Sequence, residues 1–91
     1  MRSDRFEWDD DKARINLIKH KVSFVAGCLV FADPDMVDER DEDPDEERYR
    51  ATGFVGERLL TVYYTGRGQR IRIISVRKAS PHEQEDYFNQ I

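Results

Sequence analysis

The sequence predicts an α+β fold in which helices cover one face of an antiparallel sheet. Helical spacing of apolar residues marks the first third of the chain, whereas β-branched and aromatic residues dominate positions 48–78. The predicted order is a short strand, two helices, three or four consecutive strands and a final helix, with about four strands in the sheet. A chain of 91 residues has room for one domain, and we expect residues 1–91 to form it.

The N-terminal part is predicted to hold an edge strand and two helices. Alternation at residues 6–8 predicts the strand. Asp9 suits the N-cap of a first helix, which ends at Lys19-His20-Lys21, because acids favour the start of a helix and bases its end. Ser23 can cap a second helix from Phe24 to about Phe31. In the first helix a stripe is predicted that comprises Ala13, Leu17 and His20, with Ile15, Ile18 and Val22 beside it.

The C-terminal part is predicted to consist of strands and one last helix. A brief strand at 36–40 precedes an exposed acidic loop at about 41–47. Strands are predicted at 48–55, 58–65 and 70–77. Ser80, Pro81 and Glu83 form a capping-box signal for a helix that runs to about Gln90, with Tyr87 and Phe88 turned inward.

Charge is strongly segregated along the chain. The formal net charge is −4, but residues 32–47 carry −9 and residues 48–78 carry +7. Because an anionic ligand responds to the local field, the acidic total does not exclude a nucleic-acid partner.

The arginines of the strand region allow two interpretations. Alternation places Arg70 and Arg72 on one face of their strand and Arg77 on the other, while Arg48 and Arg50 share a face. Such arginines either form a solvated sheet edge paired with the acidic loop, or bind phosphate through their planar forks. The interleaved tyrosines are either core and rim residues or stacking platforms for unpaired bases, and they are Tyr49, Tyr63 and Tyr64.

Two histidines are candidates for proton transfer. His20 is either a proton carrier or a cation at a helix C-terminus, and His82 lies in the first turn of the last helix. No spacing of metal ligands stands out, so we expect neither a metal nor a cofactor. The single cysteine, Cys28, and the absence of a long apolar run lead us to expect a cytoplasmic protein without a membrane anchor.

Two blocks of the sequence stand out together. The first is Phe6-Glu7-Trp8-Asp9, followed by Lys12, Asn16, Lys19-His20, Val22-Ser23-Phe24 and Phe31. The second is the segment RIISVRKA at 72–79, followed by Glu83 and Tyr87. Together these blocks resemble the BrnT family of ribonuclease toxins from bacterial type II toxin–antitoxin systems.

The resemblance implies a RelE-like fold and an endoribonuclease that arrests translation without a metal. It also implies a BrnA-type ribbon-helix-helix antitoxin, in a two-plus-two heterotetramer that meets operator DNA only through the antitoxin. Within these blocks and the neighbouring basic segment we expect Arg72 and Arg77 to stabilise the phosphorane and Lys19 or His20 to transfer protons. RNA would be bound by Arg48, Arg50, Tyr63 and Lys78. The alternatives are a non-catalytic co-repressor that binds an antitoxin, and an RNA-binding module.

Overall fold

The computed structural model of the chain describes residues 1–42, 45 and 47–90. Within them the elements are β1 (Phe6–Glu7), α1 (Asp10–His20), α2 (Phe24–Val30), β2 (Val37–Asp41), β3 (Arg48–Val55), β4 (Arg58–Arg67), β5 (Arg70–Lys78) and α3 (Pro81–Phe88). The predicted α+β class is confirmed. None of the described helices has both the length and the apolar character needed to cross a membrane.

The strands form one sheet in the order β1-β5-β4-β3-β2. The strands β2 to β5 pair antiparallel, as predicted, and the two-residue β1 joins β5 in parallel. The sheet therefore has five strands rather than about four. Of the predicted acidic loop, Asp41 belongs to β2 and Glu42, Asp45 and Glu47 are exposed, while Asp43, Pro44 and Glu46 lie outside the described residues.

The predicted helix caps are present. The Asp9 carboxylate accepts hydrogen bonds from the backbone N–H groups of Asp11 and Lys12, and the Ser23 hydroxyl accepts one from Ala26. Ser80 and Glu83 complete a reciprocal capping box at the start of α3. Each cap satisfies backbone donors that the first turn of a helix leaves without a partner.

The core lies between α2 and one face of the sheet. Val22, Phe24 and Val30 are buried against sheet residues that include Leu60, Val62 and Val76. Gly27 allows this close approach, because a Cβ at that position would lie 2.5 Å from Val76 Cγ2.

The apolar stripe predicted for α1 is wrong for Ile15, Leu17 and Ile18, which are 54%, 49% and 62% exposed, whereas Val22, just after the helix, is buried as predicted. The buried residue of α1 is Asn16. Its amide donates to the carbonyl oxygens of Val22 (3.0 Å) and Val76 (2.8 Å), and its carbonyl accepts from the Val76 N–H (3.1 Å). The helix is thus held to β5 by hydrogen bonds rather than by an aliphatic stripe.

A β-bulge changes which residues of β5 share a face. Tyr63 pairs with Ser75 and Tyr64 pairs with Ile73, so that Ile74 is the extra residue. Because paired residues share a face, Arg72 lies on the same side as Ser75 and Arg77. The strict alternation predicted for this strand is therefore wrong.

The last helix, α3, contacts β3 and reaches the face of the sheet opposite the core. Tyr87 is buried and its hydroxyl donates to Asp33 Oδ2 at 2.7 Å, but Phe88 is 59% exposed, so the inward orientation predicted for Phe88 is wrong. Glu83 of α3 reaches Thr61 and Arg77, which pair with each other on the face opposite the core. The helices therefore do not all lie on one side of the sheet.

Candidate functional site

Polar residues of three neighbouring strands meet on the face opposite the core. One row across the sheet contains Thr52, Thr61 and Arg77, and the next contains Arg50, Tyr63 and Ser75. Arg48 lies two residues before Arg50, and Arg72 pairs with Thr65 on the same side. We call this surface the arginine face, and it comprises Arg48, Arg50, Tyr63, Arg72 and Arg77.

Tyr63 lies at the centre of the arginine face. The guanidinium carbon of Arg48 lies 5.4 Å from the centroid of its ring, and that of Arg77 lies 5.3 Å from it. Arg77 Nη2 also donates to the Tyr63 hydroxyl at 2.9 Å. The ring therefore orders two guanidinium groups through cation–π contacts.

Arg77 is held by a carboxylate from α3. Its Nη1 and Nη2 donate to the two oxygens of Glu83, at 2.7 and 2.9 Å. With the bonds to Tyr63 and to the Lys78 carbonyl, both terminal nitrogens are fully used and only Nε–H remains to donate. The hydrogen bond to Glu83 raises the pKa of Arg77, which remains a fixed cation.

Glu83 is buried and its carboxylate is saturated with donors. Besides Arg77, it accepts from the Thr61 hydroxyl at 2.9 Å and from the Ser80 backbone N–H at 2.8 Å. Burial by itself would raise the pKa of this carboxyl, but the bonds from Arg77, Ser80 and Thr61 outweigh it and lower the pKa to about 2. Glu83 is therefore ionised at neutral pH.

The other arginines of this face also have acidic partners. Arg50 donates to Glu39 at 2.7 Å and lies 3.6 Å from Glu83, and Arg72 donates to Glu7 at 2.7 Å. Arg48 donates to Asp41. Glu39 and Asp41 come from the acidic segment, so the ion pairing that the sequence left open is present.

Lys19 and His20 do not lie on the arginine face. They line a cavity of about 210 Å³ between α1 and β5, together with Lys12, Ile15, Asn16, Ile74 and Ser75. Ser75 connects the two regions, because it pairs with Tyr63 and also lines the cavity. Within the described residues no hydrogen bond or ion pair joins His20 or Lys19 to Arg72 or Arg77.

Lys78 is separated from the other predicted RNA-binding residues. It pairs with Leu60, whose side chain belongs to the core face. Lys78 is exposed and lines a groove of about 430 Å³ beside α3, which Arg58 and Phe88 also line. His82, the second candidate histidine, is exposed and lies 3.3 Å from Asp86, one turn further along α3.

Sequence reasoning missed the carboxylates of the site. Glu83 was identified as a capping-box residue and, like Glu7, as part of the blocks that resemble the family, but neither was assigned a role in the site, and Glu39 was not singled out. The available signal was the match between basic residues of the strands and the acids of neighbouring strands, but its use requires the pairing register. No cluster of three or more potential metal ligands is found among residues 1–42, 45 and 47–90.

A comparison with known families gives one match. Residues 8–83 match the family described as "Ribonuclease toxin, BrnT, of type II toxin-antitoxin system". No curated protein matches the chain significantly. The matched region covers most of the 91 residues and includes α1, the sheet strands β2 to β5 and Glu83. The chain therefore belongs to the BrnT family of ribonuclease toxins of type II toxin–antitoxin systems.

Proposed function

We propose that this protein is a metal-independent endoribonuclease that binds single-stranded RNA on the arginine face. The observation that carries the proposal is the placement of four arginines on one face of the sheet, two of them against the Tyr63 ring, in a member of a ribonuclease toxin family. Guanidinium groups are suited to phosphate oxygens because their N–H groups form a planar fork.

The proposed reaction uses the RNA itself as nucleophile. The ribose 2′-oxygen attacks the adjacent phosphorus while a base accepts its proton, and the bond from phosphorus to the 5′-oxygen breaks as an acid protonates that oxygen. The products are a 2′,3′-cyclic phosphate and a free 5′-hydroxyl. Arginines stabilise the charge on the phosphoryl oxygens but are poor proton carriers because they stay ionised.

Arg72 and Arg77 are the proposed stabilising groups. Glu83 fixes Arg77, and donors that are fixed before the reaction need no reorganisation when charge develops. Arg72 donates from Nη1 to Glu7, and its other N–H groups are proposed to bind the phosphate. Lys19 or His20 is the proposed proton carrier, since their cavity meets the arginine face at Ser75.

Arg48 and Arg50 are proposed to bind the RNA backbone, with a base stacked on Tyr63. Lys78 is proposed to contact the RNA where it continues beyond α3. In the cell we propose that cleavage inhibits translation in the cytoplasm. The proposed antitoxin is of the BrnA type with a ribbon-helix-helix part. A dimeric antitoxin would give a two-plus-two complex that contacts operator DNA through the antitoxin alone.

The test is cleavage of a labelled single-stranded RNA by the purified protein in the presence of EDTA. We expect cyclic-phosphate products from the wild type and a reduction of kcat by about 10²-fold or more in Arg72→Ala and Arg77→Ala, because each removes a stabilising cation. Arg5→Ala is the control, since Arg5 is an exposed arginine before β1, outside both the arginine face and the groove that Lys78 lines.

Two results would contradict the proposal. Full activity in folded Arg72→Ala and Arg77→Ala variants would show that these two arginines are not the catalytic groups. Salt-sensitive RNA binding without any product would instead identify a non-catalytic RNA-binding module.

A further inference from the structure

The outward sides of α1 and α2 carry large aliphatic side chains. Ile15, Leu17 and Ile18 of α1 are 49–62% exposed, and Val25 and Leu29 of α2 are 62% and 53% exposed. The two helices contact each other and lie next to each other over the sheet. Soluble proteins rarely expose so many large aliphatic residues within two short helices unless a partner covers them.

We propose that these residues form the docking surface for the antitoxin. The antitoxin would bind there through a segment of its own that has an aliphatic face flanked by carboxylates. The proposal rests on the presence of an antitoxin in this family and goes beyond the proposed RNA chemistry. The surface is called the aliphatic patch and comprises Ile15, Leu17, Ile18, Val25 and Leu29.

Charge identifies the chemistry of the partner. Residues 12–32 hold four bases, which are Lys12, Arg14, Lys19 and Lys21, and no acid. All four side chains are exposed. A segment with acidic residues beside its aliphatic face would therefore gain apolar contact and favourable electrostatic complementarity together.

The same charges argue against the two other occupants. In a symmetric dimer of this chain the patch would face itself, so the basic rims would meet and repel each other. RNA would be attracted to the bases, but it presents few groups that would cover Ile18 or Leu29. Lys19 of this rim also lines the cavity proposed for proton transfer, but the four arginines of the arginine face offer the RNA backbone the better surface.

Binding of the antitoxin encoded by the adjacent reading frame tests the proposal directly. Affinity is measured by titration calorimetry with purified wild type, Ile18→Glu, Leu29→Glu and Ile18→Lys. The substituted side chains are exposed, so we expect the fold to persist, and circular dichroism melting checks this. Phe88→Glu is the matched control, because Phe88 is equally exposed but lies on α3.

We expect Ile18→Glu and Leu29→Glu each to weaken antitoxin binding by 10-fold or more, while Phe88→Glu binds as the wild type does. Ile18→Lys should lose less affinity than Ile18→Glu, because its charge is opposite to that of the partner's rim. Binding, not cleavage, is measured, so this result is independent of whether the protein cuts RNA.

Four outcomes would overturn the proposal. Unchanged antitoxin affinity in both glutamate variants would place the interface elsewhere. Equal losses of antitoxin affinity in Ile18→Lys and Ile18→Glu would show that the partner has no acidic residues beside its aliphatic face. Sedimentation showing a wild-type dimer that Ile18→Glu dissociates, or a specific loss of RNA affinity in Ile18→Glu, would assign the patch to a second copy or to RNA.

Discussion

Glu83 performs two roles with one carboxylate. As the third residue of α3 it accepts the Ser80 N–H, and on the sheet it holds both terminal nitrogens of Arg77. The sequence predicted the first role, because a capping box is a local pattern of four residues. It could not predict the second, since the turn between β5 and α3 decides where the side chain points.

Glu83→Gln is expected to lower the free energy of unfolding by about 3 kcal/mol at pH 7. The wild-type carboxyl has a pKa lowered from 4.5 to about 2, and that difference stabilises the fold fully above pH 4.5 and is lost as the pH falls toward 2. Urea unfolding at several pH values should therefore show the difference between wild type and variant shrinking below pH 4.5. Glu57→Gln, at an exposed turn, is the control, and parallel pH profiles for Glu83→Gln and wild type would contradict the assignment.

At the scale of elements, the sequence predicted the helices and strands well but not how they face each other. Caps and β-rich runs are local signals, whereas the bulge at Ile74 shows itself only in the pairing of β4 with β5. The exposed aliphatics of α1 illustrate the same limit. Periodicity identified a stripe, but the hydrogen bonds of Asn16 determine which side of the helix lies inward.

Gly27→Ala is expected to destabilise the fold by about 1–2 kcal/mol. Alanine favours helices over glycine by about 1 kcal/mol, but the added Cβ would lie 2.5 Å from Val76 Cγ2 inside the core, and overpacking typically costs about 1–3 kcal/mol. Urea unfolding measures the difference. Gly66→Ala is the control, because a Cβ there meets nothing within 4 Å, and a Gly27→Ala variant as stable as the wild type would show that α2 can move away from the sheet.

In the whole molecule, acidic and basic residues that are separated along the sequence form ion pairs across the sheet. Glu7, Glu39, Asp41 and Glu83 each neutralise an arginine of the arginine face. Composition and order predicted the α+β class. All five residues of the arginine face were named as candidates, although strict alternation placed Arg72 and Arg77 on different faces of their strand. The separation of Lys19, His20 and Lys78 from that face was not predictable, because it depends on which edge α1 covers and on the register of β5.

Glu39→Gln is expected to raise RNA affinity up to about fivefold. The hydrogen bond that Arg50 donates to Glu39 raises the pKa of Arg50 and occupies one of its N–H groups. An RNA phosphate must therefore compete with a partly exposed ion pair worth about 0.2–1 kcal/mol. Fluorescence anisotropy at one fixed salt concentration measures the change, because RNA affinity depends steeply on salt. Glu57→Gln should bind as the wild type does, and weaker binding by Glu39→Gln would mean that Arg50 needs Glu39 to be correctly oriented.

The hydrogen bonds of Asn16 also affect how the sheet meets other chains. Strand β1 covers only Ile71 and Arg72 of β5, and further along the strand the Asn16 carboxamide occupies both the N–H and the carbonyl of Val76. A side chain thus imitates the peptide group of a missing neighbour. An incoming strand finds that position already taken, so this border of the sheet is protected against edge-to-edge aggregation without a full-length strand being needed there.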